Sequence, residues 1–324
     1  MRSASNYEIL GIGTPFVDYI LLADDKTLEK LSQTRGGSTV VDYNKLQTIL
    51  QEPLALPRFI TGGSCANTIK GLASLGNRCA IIGRIGNDPA GDCFKEMMET
   101  QGITPLLVQS NKPTAQAACL ISPDGERTMF TTLGASADLN ESDLTLDLFQ
   151  GVRLVHIEGY LLTNEPLVRK AMALAKESGA AVSFDVSSVG IITQHKKAMI
   201  DLLTHYVDIV FANTAETKVL TGLPPEQGCV ILKDLSETAI VKMGAEGCWA
   251  AQGIDKVFSP ALPTKVVDTT GAGDLFASGF LHGYTHRKTL VECTHYGALV
   301  ASHVIQILGA EIPPPMWKSI RDRL

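Results

Sequence analysis

The sequence predicts an α/β fold: a three-layer α/β/α sandwich with a mostly parallel central sheet, and a small β-sheet lid beside it. Three observations predict this. Short runs that are apolar throughout alternate with longer amphipathic stretches, which implies parallel strands covered by helices on both faces. Two regions, 14–61 and 104–133, break that rhythm with strand-like runs and read as a small sheet over a cleft. No internal repeat, low-complexity tract or charge run divides the 324 residues, so 1–324 reads as a single domain.

In chain order, Tyr7–Ile12 is the first strand. Region 14–61 starts strand-like and continues through a polar stretch with Gly36-Gly37, Pro53 and Pro57. Ser64–Leu75 is a helix ended by Gly76-Asn77, Cys79–Ile85 a strand and Pro89–Glu99 a helix. Leu106–Val108, Ala115–Ile121 and Thr128–Leu133 are short consecutive strands assigned to the lid. The turn Ser122-Pro123-Asp124-Gly125 joins the last two as a hairpin. Gly151–Ile157, Ala180–Val186, Val207–Phe211 and Thr238–Lys242 are further strands. Pro166–Ser178 is a helix, another starts at Thr214, and two long helices cover Ala272–His286 and Leu290–Leu308.

Composition excludes several classes. With 28 basic and 34 acidic residues the formal charge is −6, which opposes a nucleic-acid binder working through a general basic surface. The seven cysteines are widely spaced without a C-x-x-C pair, so they read as core thiols of a reducing compartment, not disulfides or a zinc site. Met1–Leu10 lacks the apolar core of a secretory signal, and no run of about 18 apolar residues occurs. A cytoplasmic place without membrane contact is the expectation.

Gly11-Ile12-Gly13-Thr14-Pro15-Phe16 is not a dinucleotide fingerprint: Phe16 replaces the third glycine and Pro15 opposes a following helix. No Gly-Lys pair exists, which excludes a phosphate-cradling P-loop. The stretch Asp268-Thr269-Thr270-Gly271-Ala272-Gly273-Asp274 opens a helix with small residues. Amides of a first helical turn lack intrahelical acceptors and favour an anion. Asp274 then stands beside that anion, placed to take a proton from an attacking hydroxyl. The same pattern also describes a tight turn with Asp274 complementing the helix dipole.

Gly62-Gly63-Ser64 precedes a helix carrying Asn67, and uncharged groups at a helix start suit sugar hydroxyls. Asp18 could accept from two adjacent hydroxyls. Ser64 as a helix cap and Asp18 as a loop cap are the alternatives. Asn213 and Glu216 form either a capping box or a group in which Glu216 orders water around Mg2+. His282 and His286 lack the glutamate of a zinc-protease helix, and no Gly-x-Ser-x-Gly elbow occurs.

The stretch 268–274, followed by Leu-Phe-Ala-Ser-Gly-Phe, resembles the C-terminal signature of the ribokinase-like (PfkB) family of carbohydrate and nucleoside kinases. Gly62-Gly63-Ser64 with Asn67, the segment Gly83–Gly91 and Asn213-x-x-Glu216 fall in the family's order, so the resemblance spans about Glu8 to Gly309. It implies Asp274 as general base, Gly271, Ala272 and Gly273 as anion hole, and Arg127 facing the transferred phosphate. It implies Asp18, Gly62, Gly63, Ser64 and Asn67 around the substrate. Asn213, Glu216, Lys242, Gly244, Gly247 and His303 would serve ATP and its phosphates, with Glu216 reaching Mg2+ through water. Asp268 and Thr270 match a loop that holds K+ in some members.

Gly62-Gly63-Ser64-Cys65-Ala66-Asn67-Thr68-Ile69-Lys70 is similar to the pattern of the adenosine kinases within that family. The implied activity is ATP-dependent phosphorylation of a ribosyl hydroxyl, the 5′-OH of adenosine or a related nucleoside. A sugar kinase of the ribokinase or fructokinase type is the alternative, and a non-catalytic nucleoside-binding regulator the second. The implied partners are a small nucleoside or sugar, on a monomer or homodimer.

Overall fold

The computed structural model describes residues 6–31, 37–52, 58–123 and 127–324. The chain begins β1 (Ile9–Ile12), β2 (Phe16–Leu22), α1 (Asp25–Leu31), β3 (Gly37–Val40), α2 (Tyr43–Leu50) and β4 (Arg58–Gly62). It continues through α3 (Ser64–Ser74), β5 (Cys79–Gly86), α4 (Pro89–Thr100), β6 (Thr104–Ser110), β7 (Ala115–Ile121) and β8 (Arg127–Thr132). Then follow β9 (Leu154–Glu158), α5 (Glu165–Glu177), β10 (Ala181–Asp185), α6 (Val189–Tyr206), β11 (Ile209–Asn213), α7 (Thr214–Thr221) and α8 (Pro225–Leu235). The last elements are β12 (Thr238–Lys242), β13 (Cys248–Gln252), β14 (Asp255–Ser259), α9 (Ala272–Thr285), α10 (Leu290–Val304) and α11 (Pro314–Arg321).

Nine strands form the large sheet in the order β14-β13-β12-β11-β10-β9-β1-β5-β6. From β12 to β6 neighbours run parallel, and β13 and β14 add an antiparallel hairpin at one edge. Strand alternation sorts the core into two layers. Leu10, Ile12, Val155 and Ile157 pack with Val168, Met172 and Met199 of α5 and α6. Ile9, Ile81 and Phe211 pack on the other face with Ile69 of α3 and Phe280 of α9. This is the predicted three-layer fold.

The small sheet has the order β3-β8-β7-β2-β4. Its core of Leu21, Leu28, Leu46, Ile49, Leu120 and Phe130 is closed by α1 and α2, two helices that the sequence reading did not find. β7 and β8 pair antiparallel as expected, while Asp124 and Gly125 of the predicted turn lie outside the described residues. Gly36, Pro53 and Pro57 also lie outside them.

One lid assignment is corrected. The strand read at Leu106–Val108 is β6, which pairs parallel with β5 from Ala80↔Thr104 to Gly86↔Ser110 and ends the large sheet. Because no helix separates β6 from β7, consecutive short strands resembled a meander. Pro105 is tolerated because β6 is an edge strand. The hairpin β13–β14 and helices α6 and α8 were not predicted, and the helix expected to reach Leu308 ends at Val304.

The topology brings the carboxyl ends of adjacent parallel strands together, where ligands of open α/β sheets bind. β9 ends at Glu158 and β10 at Asp185, which are register partners. β11 ends at Asn213 and β12 at Lys242, also register partners. The root of the small sheet meets the same edge, with Asp18 of β2 beside Gly62 of β4.

Candidate active site

Two helix starts face each other at this edge. Gly271 caps α9 in the left-handed region (φ +68°), and a Cβ there would stand 2.6 Å from the Ala310 side chain. The turn presents Asp274 to the first turn of α3. Ser64 Oγ donates to one Asp274 carboxylate oxygen at 2.8 Å, and Asn67 Nδ2 donates to the other at 3.0 Å. Thr68 Oγ1 donates to the Asp274 carbonyl at 3.1 Å. The helices approach closely because Gly71 has no side chain: a Cβ there would meet Ser278 Oγ at 2.3 Å. Burial, with the charge of Asp185 in support, pushes the Asp274 carboxyl up to about 6, against the bonds from Asn67 and Ser64 and the pull of Lys242.

Lys242 supplies the positive charge. Its ammonium donates to Asp185 Oδ2 at 2.8 Å, and a Cβ on Gly273 would lie 3.0 Å from it. Burial opposes that charge, yet Asp185, Glu216 and Asp274 hold the ammonium above its ordinary range. The Lys242 ammonium thus stands beside the head of α9 at Gly273, among three carboxylates that outnumber its charge. Of the amides assigned to the anion hole, that of Ala272 donates to Thr269 O at 3.2 Å. The amides of Gly273 and Asp274 lie in the first turn, beyond reach of helix carbonyls.

Asn213 and Glu216 do form a capping box: the Asn213 amide donates to Glu216 Oε2 at 2.7 Å, and the Glu216 amide to Asn213 Oδ1 at 3.0 Å. Burial and then the charge of Asp185 push the Glu216 carboxyl up to about 7. Two neighbouring carboxylates in a shielded corner are oxygen donors of the kind Mg2+ takes, and its charge would relieve that repulsion. The residues therefore fit the ion. No group of three or more His, Cys, Asp or Glu is arranged as a metal cage among the described residues.

A small cavity lies beside Asn67, which bonds Asp274. Asp18, Gly62, Asn67 and Thr270 form its polar wall, and Ile20, Ile60 and Cys119 its apolar wall. Asn67 Oδ1 is buried without a hydrogen-bond partner. Gly63, at φ +102°, lets Thr14 O approach to 2.2 Å from the place of a Cβ. The Asp268 carboxylate accepts from the Thr270 amide (3.0 Å) and hydroxyl (2.7 Å) and from the Gly309 amide (2.8 Å). It ties this loop to the chain after α10.

Other assigned residues lie apart from this cluster of bonds. Gly244 and Gly247 shape the turn between β12 and β13 with φ +58° and +108°. His303 Nδ1 donates to Leu299 O within α10 at 2.8 Å. Arg127 begins β8, but its side chain lies outside the described residues.

Two acidic residues were missed by the sequence reading. Besides Asp185, Glu158 is 1 % exposed and accepts from the Thr14 amide at 2.8 Å and the Cys65 amide at 2.9 Å. It joins β1's carboxyl end to the start of α3, and burial pushes its carboxyl up to about 7. The available signal was an acid closing an otherwise apolar strand, LVHIE and AVSFD.

The site sets a carboxylate of raised basicity beside the Lys242 ammonium, with Asn67 joining it to a small cavity. Comparison with known proteins finds similar chains among nucleoside and sugar kinases. A solved adenosine kinase from Sinorhizobium meliloti is 30 % identical, with a TM-score of 0.89 over 99 % of this chain and 100 % of that one. A probable sugar kinase protein from Rhizobium etli is 29 % identical with a TM-score of 0.89, covering 98 % of each chain. Adenosine kinase 2 of Arabidopsis thaliana is 25 % identical over 97 % of this chain and 98 % of its own. The pattern described as pfkB family carbohydrate kinase matches residues 37–317. With that match over most of the chain, the protein belongs to the pfkB family of carbohydrate kinases.

Proposed function

We propose that the protein transfers the γ-phosphoryl group of ATP to the 5′-hydroxyl of adenosine or a closely related nucleoside. The observation that carries this reading is the joint between α3 and α9: Asn67, a residue lining the cavity, binds Asp274 with its amide and leaves its carbonyl oxygen buried and unmatched. An unmade hydrogen bond of that kind costs about 1–3 kcal/mol, and a sugar hydroxyl would make it. The apolar wall of Ile20, Ile60 and Cys119 supports a substrate with an apolar ring beside its hydroxyls, for which the cavity of about 20 Å³ must open.

In this reading the substrate hydroxyl displaces Ser64 or Asn67 at the Asp274 carboxylate. Asp274 accepts the hydroxyl proton as the oxygen bonds to the γ-phosphorus; the bond from that phosphorus to the β-bridging oxygen breaks, and ADP leaves. A carboxyl near pKa 6 is ionised at neutral pH yet more basic than an ordinary aspartate. Lys242 and the Gly273 and Asp274 amides stabilise charge on the migrating group. Mg2+, held through water by Glu216 and near Asp185, would neutralise phosphate charge. Arg127 remains assigned to the transferred phosphate, Asn213, Gly244, Gly247 and His303 to ATP and its phosphates, and Asp268 with Thr270 to K+. The small sheet, rooted at Asp18 and Gly62, acts as a lid that excludes water.

The second reading, phosphorylation of a free sugar, is favoured by the likeness to the Rhizobium etli protein. ADP release with a panel of adenosine, inosine, guanosine, ribose, fructose and fructose 6-phosphate separates the two. Adenosine or another nucleoside of the panel is expected to exceed every sugar and sugar phosphate in kcat/KM by at least about tenfold, a margin set by base contacts a free sugar lacks. A preference for fructose or ribose overturns the nucleoside assignment, and binding without ADP release from any substrate supports a regulator.

A further inference from the structure

A cavity of about 390 Å³ lies at the end of the large sheet opposite the candidate active site. Ala181 and Thr238, the first residues of β10 and β12, border it, together with Phe280 and Tyr284 of α9 and the turn into α10. Ten residues of helix separate Asp274 from Tyr284, about 15 Å at 1.5 Å per residue. Its volume falls in the range of roughly 300–1,000 Å³ typical of small-molecule sites.

Three cations line it: Arg153, Arg287 and Lys288. Arg153 is partly matched by Glu8 at 3.3 Å and donates to Thr285 O at 2.7 Å. The Lys288 ammonium stands 3.8 Å from Glu292. Arg287 makes no side-chain hydrogen bond or ion pair among the described residues, and its φ is +56°. A separate observation concerns Thr238: it is 1 % exposed, lines the same cavity, and its Oγ1 is without a hydrogen-bond partner. Buried hydroxyls are normally satisfied, so this one marks a place for an external polar atom.

From these features we infer that the cavity is a second ligand site, for a phosphomonoester attached to a flat ring. The guanidinium of Arg287, with Lys288 and Arg153 beside it, takes the phosphate. Phe280 and Tyr284 flank the ring, and Thr238 bonds one of its heteroatoms. Glu8 and Glu292 cancel part of the positive charge, and Asp208, matched by Lys176, and Glu237 act on Tyr284. That balance favours one phosphate over a triphosphate. The inference stands apart from the catalytic reading, because none of these residues belongs to the Asp274 cluster.

Hydrogen exchange on the full chain, titrated with AMP or inorganic phosphate, tests it. AMP is expected to slow exchange of amides 283–293, with half-saturation at least tenfold below that of inorganic phosphate. The double variant Arg287→Ala/Lys288→Ala should raise the half-saturating AMP concentration at this segment at least tenfold. Thr238→Val, which keeps the volume, should raise it about threefold while leaving the melting temperature unchanged or higher. Protection confined to residues 60–70 and 268–276, or protection at 283–293 that survives all these substitutions, overturns the site. Equal affinity for AMP and inorganic phosphate overturns the ring-binding assignment.

Discussion

Asn67 and Asp274 stand 207 positions apart in the chain, and the Asn67 side-chain amide donates to the Asp274 carboxylate across 3.0 Å. The bond joins the first turns of α3 and α9. It ties the residue assigned to the substrate to the residue assigned to the base, so the packing of the two helices controls both.

The acid limb of the kcat/KM profile is expected to fall tenfold per pH unit below about pH 6, because Asp274 must be ionised to accept a proton. Stability gives an independent sign. A folded-state pKa raised from 3.8 means that ionisation costs stability, progressively, as pH rises from about 4 through 6. Asn cannot ionise, so Asp274→Asn should gain melting temperature relative to wild type across that window and level off above it. A difference independent of pH between 4 and 8 contradicts the shift.

Gly71→Ala places a methyl group 2.3 Å from Ser278 Oγ and 3.0 Å from Leu275 Cδ1. Overpacking of this kind costs about 1–3 kcal/mol. The same displacement draws Asn67 from Asp274, so kcat should fall with the melting temperature. Gly190→Ala, in α6 with only Ser188 Oγ at 3.8 Å, serves as control. It should be neutral or stabilising by up to about 1 kcal/mol.

Glu158→Gln keeps the shape but turns an NH2 group toward one of the amides of Thr14 and Cys65. The expected cost is about 1–3 kcal/mol by denaturant unfolding. Cys65 follows Ser64, so the start of α3 should loosen and kcat/KM drop. Full activity in a folded Glu158→Gln protein removes the positioning role.

Lys242→Met leaves Asp185 nearly buried and unpaired, at a cost of about 3–5 kcal/mol. Adding Asp185→Asn should restore most of that stability without restoring turnover. Recovery of both would make the pair purely structural.

Much of this was legible in the sequence because it rests on local signals. Apolar runs such as those ending at Ile157 and Phe211 marked the parallel strands, and Gly271-Ala272-Gly273 marked the head of α9. β6 was misplaced because strand pairing is not local: its partner β5 lies across α4, whereas β7 follows at once. α1 and α2 were missed because their short apolar faces, around Leu28 and Leu46, are buried only against the small sheet. Glu158 and Asp185 escaped because one acid at the end of an apolar run carries no spacing pattern. Their meaning depends on Cys65 and Lys242, far along the chain.

Turnover of Asp274→Asn with ATP and adenosine tests the central claim most directly. Its kcat should fall by about 10²–10⁴ while adenosine affinity stays within about threefold, because the substitution removes the proton acceptor and keeps the shape. A variant that turns over within tenfold of the wild-type rate would contradict the assignment of Asp274 as the base.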